Sequence, residues 1–210
     1  MQISSTQPEG EALVALRRFT RTRPAVERCE LCGETLKEEH AHLLERERRR
    51  ITCVCDACAI LFCGQEKTRF LRVPRRVRRL EEFSFSDEQW EAMMLPIGLA
   101  FFLRGGDGAT RVLYPSPAGA MESLIHVAPW QQLFAREPIL RDVEPEVEAL
   151  VVNRIGKEPA SYVAPLDQCY RLVGLIRTQG RGLSGGGEVW KAIAAFFEDL
   201  DRQAGKASHA

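Results

Sequence analysis

Residues 29–63 read CELCGETLKEEHAHLLERERRRITCVCDACAILFC. This stretch is a candidate metal site, and the rest of the chain is interpreted in relation to it. It contains six of the seven cysteines. In Cys29-Glu-Leu-Cys32, two thiolates three positions apart can bind one ion, and Gly33 permits the tight turn that follows. The same spacing recurs after 22 intervening residues. The pattern therefore predicts one tetrahedral four-thiolate site, with the ligands Cys29, Cys32, Cys55 and Cys58.

The expected ion at this site is Zn²⁺. An all-thiolate site without an open position is typical of structural zinc centres. Iron is the alternative, as an ion or an iron-sulfur cluster, because CxxC followed by CxCxxC supplies enough cysteines. The spacings match neither the bacterial nor the plant-type ferredoxin pattern, and the glycine after the first pair favours a zinc ribbon.

Four residues of the same stretch are surplus to a four-thiolate site. Cys53 could replace Cys55, or it could point to the opposite face of a strand, and the ligand spacing favours Cys55. His40 and His42 would share one face of a strand, so they could complete a second site or a mixed Cys/His site. Such histidines are more often simply hydrogen-bonded. Cys63 follows an apolar run and is expected to be a small buried residue rather than a ligand.

The composition, 45% hydrophobic and 28% charged, is that of a folded protein without a membrane span. The longest apolar runs, such as residues 97–103, are far too short to cross a bilayer. The N-terminus lacks a basic segment followed by a continuous apolar one, so export by a secretory signal is not expected. We therefore expect a cytoplasmic protein, whose cysteines bind metal rather than form disulfides.

The net charge of zero hides an asymmetry between the two halves of the chain. Residues 1–80 contain 17 Lys and Arg against 11 Asp and Glu, whereas residues 81–210 contain 12 against 18. The basic half could approach nucleic acid or an acidic protein, or it could dock on its own acidic half. Six arginines lie in residues 68–80, but only one aromatic is interleaved, so nucleic-acid binding remains a minor alternative.

The remaining pattern predicts an α+β protein in which a small zinc-ribbon-like module precedes a mixed α+β domain with antiparallel strands. Residues 40–52 are expected to form an arm or hairpin. Ser86 and Gln89 form a capping-box pattern at a helix start, and a hairpin with a glycine-rich turn follows. We expect four segments: an N-terminal helical arm (1–27), the cysteine-rich module with a basic linker (28–80), the α+β domain (81–203) and a disordered tail (204–210).

The C-terminal half gives little support for catalysis. A nucleophile-base pair would have to use His126 with Ser116, Ser123 or Cys169, and none of these lies in a recognisable motif. Two strands, at about residues 147–154 and 161–164, precede a helix beginning near Asp167. The last helix carries an apolar stripe of Val189, Trp190, Ile193, Phe197 and Leu200. The sequence therefore predicts a protein that is not an enzyme.

Several motifs occur in an order that resembles one bacterial family: CELCG, HAHLL, CVCDACAILF, VPRRVRRL, IGLAFFL, YPSPAGAMESL, PLDQCYRLVGLIR and SGGGEVWKAIAAFF. This is a family of uncharacterised proteins, a domain of unknown function that recurs beside nickel-iron hydrogenase genes, and the resemblance covers most of residues 28–200. It implies a hydrogenase-linked accessory role, with hydrogenase subunits or maturation factors as partners. The expected function is a non-enzymatic metal-binding accessory protein. The alternatives are an iron-binding redox or electron-transfer protein and a nucleic-acid-binding zinc-ribbon regulator.

Overall fold

The computed structural model describes residues 26–63, 68–123, 138–155, 158–179 and 187–207. The expected N-terminal arm lies almost entirely outside these segments, and so does His126. The first part of the described chain forms a small antiparallel sheet of three strands in the order β2-β1-β3. The elements of this sheet and the helix beside it are β1 (Ala41–Glu45), β2 (Arg50–Val54), α1 (Asp56–Leu61) and β3 (Phe70–Arg72).

The second part forms a six-stranded antiparallel sheet in the order β4-β9-β8-β5-β6-β7. Its strands are β4 (Arg78–Arg79), β5 (Leu99–Arg104), β6 (Thr110–Ser116), β7 (Gly119–Glu122), β8 (Glu148–Asn153) and β9 (Ala160–Pro165). The accompanying helices are α2 (Asp87–Glu91), α3 (Pro138–Arg141), α4 (Leu166–Gln179) and α5 (Gly187–Ala207). The predicted α+β class with antiparallel sheets is confirmed.

Both faces of the six-stranded sheet are covered, because alternate residues of its central strands enter two different cores. Phe101 and Val151 face α4 and α5, whose buried positions include Leu172. Phe102 enters the opposite core with side chains from the segments around α2 and α3. Strand β8 is buried along its whole length, as expected for a central strand with both faces covered.

The capping box predicted at Ser86 and Gln89 is present, with reciprocal side chain to backbone hydrogen bonds at the start of α2. The hairpin predicted at residues 40–52 is formed by β1 and β2. Two expectations about the last helix are wrong. Trp190 is 45% exposed, so it lies outside the buried stripe. Helix α5 continues to Ala207 and Ala204 packs in the core, so the disordered tail expected from residue 204 is helical as far as Ala207.

The two sheets are joined by direct contacts as well as by the chain. Leu44 of β1 is buried in the core beneath α4 and α5. Val73 and Val77, in the stretch expected to be a basic linker, are buried in the same core. The Tyr170 hydroxyl lies 3.4 Å from the Arg49 carbonyl oxygen and donates a hydrogen bond to it. The small sheet therefore lies against the helical face of the large one.

Arginines of the basic half pair with acidic side chains inside the protein. Five of the six arginines in residues 68–80 form ion pairs: Arg69 with Glu45, Arg75 with Asp56, Arg76 and Arg78 with Glu148, and Arg79 with Asp201. Two of these four partners, Glu148 and Asp201, lie in the second half of the chain. Much of the basic charge is thus used within the molecule, which leaves less of it to neutralise phosphates.

Glu148 is a buried carboxylate that accepts hydrogen bonds in this network of ion pairs. Its replacement should have a large effect on stability. Its side chain is fully buried, and it accepts hydrogen bonds from Arg76 Nε at 3.0 Å and from the Glu144 backbone N–H at 2.9 Å. Glu148→Ala should lower the free energy of unfolding by about 3 kcal/mol, because these donors lose a buried partner. Urea unfolding measures this. The matched control, Glu144→Ala, removes an exposed carboxylate that binds the same arginine and should cost under about 1 kcal/mol.

The Glu45 carboxylate, at the end of the central strand of the small sheet, should make a pH-dependent contribution to stability. A hydrogen bond from Arg69, aided by the charges of Arg48 and Arg50, lowers the pKa of Glu45 below its ordinary 4.5. The carboxylate therefore stabilises the folded state above pH 4.5, and this contribution disappears as the pH falls through the lowered pKa. Glu45→Gln should lower the melting temperature at pH 7, and the difference from wild type should shrink below pH 4. A difference that stays constant with pH would contradict this assignment.

Candidate metal centre

The first pair of cysteines lies in a tight turn closed by backbone hydrogen bonds. Arg28 and Thr35 form an antiparallel bridge on either side of it. The Gly33 N–H donates to the Cys29 carbonyl oxygen at 2.8 Å. Gly33 has a φ of 79°, a left-handed conformation that residues with a Cβ rarely adopt. The turn brings Cys32 back beside Cys29, as the spacing predicts.

The second pair lies where β2 ends and α1 begins. Cys55 is the N-cap of α1, and its sulfur accepts a hydrogen bond from the Cys58 backbone N–H at 3.5 Å. The Ala59 N–H donates to the Cys55 carbonyl oxygen at 2.9 Å. The change from strand to helix therefore turns the chain and places Cys58 next to Cys55.

The four predicted sulfurs converge. The Sγ atoms of Cys29, Cys32, Cys55 and Cys58 all lie within 4.8 Å of one another. The Cys32 and Cys55 sulfurs are 3.6 Å apart, close to the edge of about 3.8 Å in a tetrahedron with Zn–S bonds of about 2.3 Å. None of the seven cysteines forms a disulfide. The cluster could hold a metal ion and is compatible with a zinc-ribbon-like module, whereas its role as ligands stays a prediction.

The pKa values of the thiols in this cluster are shifted in opposite directions. Burial alone would raise the pKa of Cys29, but hydrogen bonds from the backbone of Cys55, Cys32 and Leu31 lower it to about 6. Burial raises the pKa of Cys58 well above its ordinary value, and the other sulfurs raise it further. At neutral pH the cluster thus combines a thiolate with a protonated thiol. An ion that binds all four sulfurs would displace the remaining thiol protons.

Glu30 connects the first cysteine turn to β2. Its backbone N–H donates to the Cys53 carbonyl oxygen at 2.9 Å, and its carboxylate accepts from the Cys53 N–H at 2.9 Å. The other carboxylate oxygen accepts from Arg50 at 2.8 Å. Because Glu30 lies between the first two ligands, these bonds fix the position of one cysteine pair relative to the other.

A small apolar cluster packs against the four cysteines. It contains Ala41, Leu43, Val54 and Ala59 together with the buried thiols of Cys29 and Cys58. Leu43 and Val54 are fully buried. Two of the six buried members are candidate ligands, so the candidate metal centre and the core of the small sheet share side chains.

The fold places Cys63 apart from the other three residues that are surplus to the four-thiolate site. Cys53 lies opposite His42 in the β1–β2 pairing, and together with His40 these two form a second group of three ligand atoms within 4.8 Å of one another. Cys63 is half-buried beside the small apolar cluster. Cys55 rather than Cys53 joins the four-sulfur group, in agreement with the preferred spacing.

An exposed apolar surface beside the centre is a feature that the sequence did not reveal. Ile60, Leu61 and Phe62, at the end of α1, are 68%, 72% and 45% exposed. They lie two to four positions after Cys58. We call these three residues the α1 tip. An apolar run does not by itself show which of its side chains are exposed, and only the fold shows that this end of the helix faces outward.

None of the helices in the described segments has both the length and the apolar composition needed to cross a membrane. Comparison with curated proteins and with solved structures gave no match. A protein-family model described as a family of unknown function (DUF5947) matches residues 28–204, which include both cysteine pairs and both sheets. The chain therefore belongs to this family of unknown function, DUF5947.

Proposed function

We propose that this chain is a non-enzymatic cytoplasmic accessory protein whose four-cysteine centre holds a structural zinc ion and presents an apolar surface to a protein partner. The observation that carries the proposal is the convergence of the sulfurs of Cys29, Cys32, Cys55 and Cys58 beside the exposed α1 tip. Four thiolates complete a tetrahedral shell, which leaves no position for a substrate.

The zinc assignment follows from the ligand type and from the size of the module. Soft thiolates in two paired turns suit zinc or iron, and no redox step is needed for an ion whose role is structural. The six buried residues beneath the centre are too few to stabilise a three-stranded sheet alone. A metal ion would supply the missing stabilisation by coupling its binding to folding.

The partner role rests on the α1 tip. Three consecutive exposed apolar side chains next to a rigid metal centre are typical of a protein contact surface. The resemblance to proteins encoded beside nickel-iron hydrogenase genes suggests the partner class, a hydrogenase subunit or maturation factor. The accessory role would then be docking during assembly of that system.

Metal analysis with visible spectroscopy on anaerobically purified protein tests the metal assignment. Zinc bound to four thiolates gives a colourless protein, and Cys29→Ser should lose the zinc ion of the four-cysteine centre. Iron in the purified protein, with visible absorption that bleaches on reduction, would instead favour the electron-transfer function. The matched control, Cys63→Ser, removes a half-buried thiol outside the four-sulfur group and should retain all the metal.

Binding to purified nickel-iron hydrogenase subunits and maturation factors tests the partner assignment. Wild type should bind one of them, and Leu61→Glu should weaken that binding at least about 30-fold, as for a buried apolar residue at an interface centre. Met94→Glu is the control, because Met94 is 80% exposed but lies in the segment after α2. Equal binding by Leu61→Glu and wild type would refute the docking surface, and binding to none of these components would refute the hydrogenase role.

A further inference from the structure

A second group of ligating side chains lies on the face of the small sheet opposite the four-cysteine centre. His42 of β1 and Cys53 of β2 are direct cross-strand partners, so their side chains share a face. His40 precedes His42 by two positions, and the two imidazole rings are 4.8 Å apart. Ala41, Leu43 and Val54 alternate with these residues and pack beneath the four cysteines instead. The alternation of side chains along the strands thus separates two potential metal sites.

The hydrogen bonds of the two histidines determine which ring nitrogens are available. His40 Nδ1 lies 3.0 Å from the Lys37 carbonyl oxygen, which can only accept, so Nδ1 must donate. His42 Nδ1 lies 2.8 Å from a carboxylate oxygen of Asp167, which sets the same tautomer. In the neutral form of the imidazole, each ring then carries its lone pair on Nε2. This is the arrangement in which metal-binding histidines are held by a carbonyl or carboxylate.

His40 supplies an independent observation that points to a ligand. Its side chain is only 9% exposed, and its Nε2 atom is buried without a hydrogen-bond partner among the described residues. A buried acceptor without a donor is unfavourable and uncommon. The edge-to-face contact between the imidazole rings accounts for their packing but gives this lone pair no partner. A cation beside His42 and Cys53 would provide one.

We propose that His40, His42 and Cys53 form a second metal site, which binds a divalent ion of the zinc class through two imidazole nitrogens and one thiolate. Ligand atoms from the three residues lie within 4.8 Å of one another, and an ion at about 2.0–2.3 Å from each would draw them slightly closer. Imidazole and thiolate together suit Zn²⁺ and its first-row neighbours rather than Mg²⁺ or Ca²⁺. Three ligands leave a fourth position to water or to a donor from a partner.

Asp167 is a positioning residue for this site. It lies at the start of α4, and its other carboxylate oxygen accepts from the Gln168 backbone N–H at 2.8 Å. The carboxylate is therefore fixed by the helix that packs on the six-stranded sheet. It orients His42 of the small sheet from a helix that packs on the large sheet. The proposed site therefore depends on residues from both parts of the protein. His42 and Asp167 are 25% and 20% exposed, which leaves a path from solvent to the ion.

Counting metal ions after loading tests the second site. Protein as purified is incubated with Zn²⁺, passed through gel filtration and analysed for all transition metals. Wild type and Cys63→Ser should retain two ions per chain, whereas Cys53→Ser and His42→Gln should retain one. A single ion in wild type, or two ions in both variants, would overturn the proposal. Because the protein is loaded as purified, iron at the four cysteines would refute the zinc assignment there without changing the expected second ion.

Cobalt titration checks the ligand set without depending on a variant that folds poorly. Adding Co²⁺ to wild type should produce a second set of visible bands, and the difference from Cys53→Ser should be that of one thiolate and two imidazoles. Asp167→Asn should weaken the binding of the second Co²⁺ ion by about 10- to 100-fold. The melting temperature and the binding of the first ion should not change. Equal affinity in Asp167→Asn would refute the positioning role, and the absence of a second set of bands would refute the site.

Discussion

Replacing Cys58 with serine should release the ion of the four-cysteine centre and unfold the three-stranded sheet, while the six-stranded sheet stays folded. Cys58 is both a candidate ligand and one of the six buried members of the small apolar cluster. Apparent zinc binding to such sites contributes about 10–16 kcal/mol at neutral pH, and this binding free energy is also folding free energy.

Hydrogen exchange resolved by segment measures the expected result. Amides of β1 and β2 should lose protection in Cys58→Ser, whereas those of β5 and β8 should keep it, because the cores on both faces of the large sheet are intact. Chelation of wild type should give the same pattern, and added Zn²⁺ should reverse it. Cys63→Ser should resemble wild type. Loss of protection in both sheets together would show that they form one cooperative unit.

Leu44 limits how far the two sheets can unfold independently of each other. It belongs to β1 but is buried in the core beneath α4 and α5, so the small sheet and the large one share part of a core. We therefore expect the six-stranded sheet to lose some stability when the metal leaves, without unfolding. The division of the chain into a module at 28–80 and a domain at 81–203 stays a prediction, and this experiment is the one that tests it.

Features set by neighbouring residues could be predicted from the sequence. The spacing of Cys29 with Cys32 and of Cys55 with Cys58 identifies two turns, because two thiolates three positions apart require a local bend. The capping box at Ser86 depends on hydrogen bonds within four residues, and it was found for the same reason. The glycine-rich turn identified the hairpin of β5 and β6.

Features that depend on distant residues could not be predicted. Asp167 is 125 positions from His42, and only the packing of α4 against the small sheet brings the two together. The assignment of Cys53 to a group with His40 depends on the register of β1 and β2, and a shift of one residue would reverse the faces. The sequence showed that a Cys/His group was conceivable but not which side chains would form it.

The exposure of individual apolar residues also could not be predicted from the sequence. Trp190 lies next to the buried stripe of α5 yet is 45% exposed, because a helix turns each successive residue by about 100° and the stripe covers one side only. An apolar side chain can serve the core or a partner, and the surrounding fold decides between these roles.

Phe102→Ala should have the largest effect on the six-stranded sheet. Phe102 is fully buried, and its ring stacks on Phe85 with centroids 5.1 Å apart. Its neighbours across β6 and β8 are Val112 and Leu150, which are also buried. Because strands enclose it on both sides, the site cannot collapse easily, and we expect the free energy of unfolding to fall by about 3–5 kcal/mol.

Urea unfolding followed by circular dichroism measures this loss, with Phe62→Ala as the control. Phe62 is 45% exposed at the α1 tip, so its removal should cost under about 1 kcal/mol. Folded Phe102→Ala should retain the metal content of wild type, because Phe102 belongs to the core on the face away from the small sheet. Loss of metal from the folded variant would mean that the centre depends on the far core of the large sheet. Retention, together with the Cys58→Ser result, would show that each sheet has its own source of stability: a metal ion for the small sheet and an apolar core for the large one.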